Sequence, residues 1–234
     1  MSAILESQEQ SWIKGGPFLE VSFLLELKTS RQEFIGQILS DLKKVYPRVE
    51  VVLTATDLAK LKDDFVKGYP VDEKDENSAK IHSVSIPAYI HFSEMRRAYI
   101  RIQQISDDLG NISFDFFGSA WDAPEWGQKG VKDADLPIFV DLLKKLFDMF
   151  NFPLGTIGFE YDSKDLFSID ECWPNSCYDL TKLDKARIEK IDDTDFIYIL
   201  VNKSLTVLPT VQKEEDSVKY LLLERSKDLL REKE

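Results

Sequence analysis

Three carboxylates, Asp115, Asp122 and Glu125, bracket a glycine-containing stretch that also carries Trp121 and Trp126. Two acids on either side of a sugar, with tryptophans as stacking platforms, would suit glycoside hydrolysis. In a chain with 42 acidic residues, the same cluster also arises without catalytic purpose. The tryptophans have two further readings. They pin the loop to the core, or they are interface anchors whose acidic neighbours Asp122 and Glu125 match a basic partner. The run Asp72, Glu73, Asp75 and Glu76 offers a similar choice between a solvated turn and an acidic arm for a basic partner. Asp192, Asp193 and Asp195 would suit a hard cation, but they read first as a turn and cap before a strand.

Other chemistry is excluded by what is missing. There is no Gly-rich phosphate loop, no dinucleotide fingerprint, no H-E-x-x-H and no G-x-S-x-G elbow. Cys172 and Cys177 are separated by four residues, which is neither a redox pair nor a zinc knuckle. Only His82 and His91, far upstream, could complete a zinc site, so reduced thiols and no metal or cofactor are expected. His82 sits near a strand start, and His91 shares the polar face of that strand with Ser83, Ser85 and Tyr89.

The elements that would position these groups follow from periodicity. Leu19, Val21, Phe23, Leu25 and Leu27 alternate with Glu20, Ser22, Glu26 and Lys28, and only Leu24 breaks the pattern, which predicts a half-buried strand. Ser30 and Glu33 form a capping box ahead of Phe34, Ile35, Ile38, Leu39 and Leu42, a helix stopped by Pro47. A strand over 49–53, a short helix over 57–66 and an exposed loop over 68–78 come next. Residues 81–92, 98–103 and 112–116 predict a three-stranded antiparallel meander, with Pro87 marking an edge or a bulge. After the tryptophan loop, 118–130, come a helix near 135–150 and a strand to Tyr161. An irregular stretch, a modest helix over 181–191, a strand over 195–201 and a last helix over 217–232 complete the chain. The expected fold class is α+β, with a mixed, mainly antiparallel sheet and helices packed on it. Residues 1–17 read as a flexible arm and 18–234 as a single domain, with the acidic loop 70–80 as the only plausible division.

Composition narrows the function classes. The 234 residues carry 42 acidic against 30 basic side chains, a formal charge of −12. A chain of this size buries roughly 70% of its extended surface on folding, enough for a core without staples. The charge argues against nucleic acid and against anionic membranes as partners. The N-terminus has no basic region followed by an apolar run, and no segment is long enough to span a bilayer, so a cytoplasmic location is expected.

The strand and capped helix over 19–46, the helix 136–150, the break Asn151-Phe152-Pro153-Leu154-Gly155 and the strand 156–161 together resemble bacterial immunity proteins of polymorphic toxins. That resemblance implies a non-enzymatic protein that occludes a toxin, and an acidic member would face a basic toxin domain. Trp121, Asp122, Glu125 and Trp126, with Asp72, Glu73, Asp75 and Glu76, are the expected contact residues. The alternatives are a carbohydrate-directed hydrolase using the loop carboxylates, and a structural or scaffold subunit.

Overall fold

A computed structural model describes residues 19–92, 95–116, 136–159, 162–167, 178–183, 196–202 and 220–224. Its elements are β1 (Leu19–Glu26), α1 (Arg31–Lys44), β2 (Val49–Val51), α2 (Ala55–Lys67), β3 (Tyr69–Pro70), β4 (Lys80–His91), β5 (Met95–Gln104) and β6 (Leu109–Phe116). They continue with α3 (Leu136–Met149), β7 (Leu154–Phe159), 3-10 turns at Ser163–Leu166 and Leu180–Lys182, β8 (Phe196–Asn202) and β9 (Tyr220–Glu224). The fold is α+β. Eight strands run in the order β2-β4-β5-β6-β1-β7-β8-β9, and β3 pairs with the start of β4. Every described pairing is antiparallel.

β1 lies at the centre because it is apolar enough to be covered on both faces. Leu19, Val21, Phe23 and Leu25 face the helices. Phe23 sits in a nest of Phe114, Phe147, Phe150 and Phe152, with ring centroids between 4.7 and 6.5 Å away. Glu20, Ser22 and Leu24 point to the opposite face and are buried as well. The expectation of a half-buried strand is therefore corrected. Leu24, the one break in the alternation, lies on a second face that the segment 162–167 covers.

The helices start where side chains satisfy their free N–H groups. Ser30 and Glu33 form the predicted capping box, with the Glu33 N–H donating to Ser30 Oγ at 3.3 Å and the Ser30 N–H to Glu33 Oε2 at 3.1 Å. Thr54 and Asp57 make a second one, which starts α2 two residues before the expected 57. Two antiparallel steps separate β6 from β7, and four separate β1 from β2. Each pair therefore runs in one direction, and its linking helix, α3 or α1, is a crossover on the same apolar face.

β2 and β3 pair with opposite ends of β4, and α2 connects them along the chain, with Phe65 in the core. Pro87 falls where β2 ends. Its carbonyl accepts from Val52 N–H, so its missing N–H would also have pointed outward, and the β4–β5 ladder loses nothing.

The expected last helix is contradicted where it is described. Tyr220–Glu224 is a strand paired with β8, from Tyr198↔Glu224 to Asn202↔Tyr220. A four-residue apolar run such as Tyr220-Leu221-Leu222-Leu223 fits either structure, and pairing with a neighbouring strand decides it. Residues 184–191 of the modest helix lie outside the described residues, while 180–182 form a 3-10 turn.

Candidate functional site

Two polar regions stand out, and the expected site residues divide between them. Trp121, Asp122, Glu125 and Trp126 lie outside the described residues, as do Cys172, Cys177 and Asp192, Asp193 and Asp195. Asp115 and the acidic run 72–76 are described, and the structure places them apart.

Asp115 belongs to a buried network on the sheet face opposite the helices. Cross-strand pairing sets it beside Glu20, and Arg101 on β5 reaches both. Arg101 Nη2 donates to Glu20 Oε1 at 2.9 Å and to Asp115 Oδ1 at 3.1 Å. Its Nε lies 2.9 Å from Asp115 Oδ2, but the N–H is not aligned for a hydrogen bond and that contact is coulombic. The 3-10 turn 163–166 closes over these groups. Ser163 N–H donates to Ser22 Oγ at 2.7 Å, and Ser163 Oγ to Asn111 Oδ1 at 2.9 Å. Lys164 Nζ bridges Asp162 at 3.0 Å and Gln103 at 3.1 Å.

The network holds three carboxylates, Glu20, Asp115 and Asp162, against two cations, Arg101 and Lys164. One carboxylate is in excess. Burial, reinforced by Asp162 and Asp115, pushes Glu20 up from its ordinary 4.5 to about 8. Burial also raises Asp115, against the pull of Arg101. Burial would lower Lys164, but Asp162 outweighs it and holds the ammonium charged. At neutral pH, Glu20 carries the proton that makes the buried set neutral. Glu20 and Arg101 were not singled out from sequence, because alternation alone marks their strand faces as wet, and Asp162 and Lys164 lie at a turn where no period applies. The signal that could have found them is Leu24, an apolar residue on the supposedly wet face.

The second region is the end of the sheet where β1 and β5 stop and β4 and β6 start. Here the acidic run is a shaped hairpin. Val71 N–H donates to Ala79 O, Asp75 N–H to Asp72 O and Ser78 N–H to Asp75 O. Asp72 Oδ1 accepts from Lys74 N–H and Asp75 Oδ1 from Asn77 N–H, both at 2.9 Å, so two of the four acids shape their own backbone. Glu73 and Glu76 extend from this frame, and both are exposed. Tyr69 and Val71, at the hairpin's root, are among the exposed large apolar residues. Asp107 and Asp108, in the β5–β6 turn, and Glu26, at the end of β1, add negative charge at the same end.

Between the hairpin's root, the β5–β6 turn and residues 178–180 lies an open cleft of about 450 Å³. Ala79, Lys80 and His82 form one wall, and Asp107, Asp108 and Asp179 stand in the others. Glu20, Asp115 and Asp162 do not line it. His82 is buried, and its Nδ1 lies 2.8 Å from Phe65 O. His91 is a surface residue, as read from sequence, with Nε2 2.9 Å from Glu50 Oε2. Among the described residues no group of three or more His, Cys, Asp or Glu is placed to hold a metal ion. No described helix is long and apolar enough to cross a membrane.

Comparison with protein-family models, curated proteins and solved structures finds no match for this chain.

Proposed function

We propose that the chain is a cytoplasmic binding protein that occludes a basic protein partner, acting as an immunity protein against a toxin. The observation that supports this reading is the ordered acidic hairpin 71–79, flanked by exposed Tyr69 and Val71. Interfaces are anchored by aromatic residues, and a loop already folded by its own hydrogen bonds loses less entropy on binding. Glu73, Glu76, Asp107 and Asp108 would steer a basic surface onto this end of the sheet. The mechanism is steric and electrostatic blockade, with no bond made or broken.

The test is an affinity capture from the native host, run in parallel with the wild-type chain and Glu73→Lys/Glu76→Lys. The expected result is one stoichiometric basic partner, released by salt, and lost from the variant. That partner alone should arrest growth of a heterologous host, and co-expression of the chain should restore it. Equal capture by both chains, or a captured partner without toxicity, contradicts the proposal.

A second reading draws on Glu20 and Asp115. A carboxylic acid kept protonated at neutral pH, beside a second carboxyl, is the acid–base arrangement a hydrolase would need. Arg101 ties both groups, and the cleft lies elsewhere, so the binding reading has the better support.

A further inference from the structure

The buried network is divided between two pieces of chain. The sheet side carries Glu20, Asp115 and Arg101, and the covering segment carries Asp162, Lys164 and Asp165. The segment is net negative, with two carboxylates to one ammonium. The sheet side is neutral while Glu20 keeps its proton and net negative once Glu20 ionises. The two sides then repel across a buried contact, where water screens little.

The groups that face Glu20 make it the controlling one. Arg101 on β5 favours its charged form, whereas Asp162 on the segment and Asp115 on β6 oppose it. β7 places the uncharged Gly158 opposite Glu20. Lys164 is engaged by Asp162 and Gln103, and Tyr178 acts on Lys164. Lifting the segment would hydrate Glu20 and carry Asp162 away from it.

The segment's attachments allow such a motion. Its start is held by polar contacts, from Ser163 to Ser22 and Asn111 and from Lys164 to Gln103. Its end is held without charge. Leu166 and Phe167 are buried, Phe167 pairs with Leu183, and its ring meets Tyr178 edge-on at 5.3 Å. A segment pinned at its apolar end can lift from its polar one.

We infer that residues 162–165 are a strap that lifts from the sheet when Glu20 ionises, so that rising pH uncovers the second face of β1, with Ser22 and Leu24. Covered, Glu20 keeps its proton up to about 8, and uncovered it returns towards its ordinary 4.5. The lifted fraction therefore rises with pH between those values and levels off above the upper one.

The test is backbone hydrogen exchange, read by NMR on the full chain. Ser163, whose buried N–H crosses to Ser22, reports the strap, and Val21 and Phe23 in β1 report global unfolding. Each exchange rate, divided by the intrinsic rate of that amide, gives an opening constant. The constant for Ser163 should rise by up to roughly tenfold per pH unit between about pH 5.5 and 7.5. It should exceed the constants for Val21 and Phe23 throughout, and it should barely change in dilute urea, because a lifted strap exposes little surface. Glu20→Gln, which keeps the shape without the titrating proton, should flatten the pH profile of Ser163. A flat profile in the wild type, or an equal rise in Glu20→Gln, overturns the inference. So does a Ser163 that matches Val21 and Phe23 in both rate and urea dependence, for then the opening is global and there is no strap.

Discussion

Glu20 shows how a single side chain links burial, charge and stability. Its ordinary value is 4.5 and its folded value about 8. Between those limits the folded chain holds a proton that the unfolded chain has released. The stability tied to it is therefore fully present below about pH 4.5 and is lost as pH rises towards 8. Glu20→Gln removes this dependence. In urea titrations the variant should gain on the wild type as pH rises from 5 to 8, at up to roughly 1.4 kcal/mol per pH unit. A difference that does not change with pH would show that Glu20 is ionised throughout. Arg101→Met should cost roughly 2–3 kcal/mol at neutral pH, because it leaves Asp115 buried beside Glu20 without its cation. The figure sits below that of a fully buried pair, since Arg101 keeps 37% of its side chain exposed. Little of this was legible in the sequence. Asp115 was weighed with Asp122 and Glu125 because they are near in sequence, whereas its nearest charged neighbours, Glu20 and Arg101, come from β1 and β5. Cross-strand register makes that juxtaposition, and register follows from the whole sheet.

At the scale of elements, the sequence is clearest where one local rule and one period agree. The capped helix α1, the meander β4–β6 and the helix α3 all carry both signals, and all are present. Where a run is short and apolar the period says little, and Tyr220–Glu224 became a strand because β8 offered an edge. The hairpin at 71–79 lay between these cases. Its composition gave an exposed loop, but the hydrogen bonds that shape it depend on which Asp turns back on its own backbone. Caps and glycines give the sharpest tests here. Ser30→Ala should cost about 1 kcal/mol, as for other N-cap serines. Gly68→Ala should cost more than the roughly 1 kcal/mol usual for a glycine with positive φ. Its φ is 66°, and the added methyl would also strike the His82 ring and Ile81 O. Thermal unfolding of the two variants checks both. A Gly68→Ala chain as stable as Ser30→Ala would mean that the contact with His82 relaxes freely.

For the whole molecule, the sheet separates two sets of acids. One set is buried in mid-sheet, neutralised by Arg101, Lys164 and a retained proton, and it holds the 162–167 segment in place. The other lies at the end where β4 and β6 begin, exposed on turns and around an open cleft. The net charge of −12 gives an acidic surface, but not where on the fold the acids gather. Topology brings Glu26, the hairpin and the β5–β6 turn to one end. The most direct test compares the two sets in one assay. Glu73→Lys/Glu76→Lys and Glu20→Gln are titrated calorimetrically against the captured partner at neutral pH. The account predicts that the hairpin variant loses at least tenfold in affinity while Glu20→Gln binds as the wild type does. Unchanged binding by the hairpin variant, or a loss confined to Glu20→Gln, would contradict it.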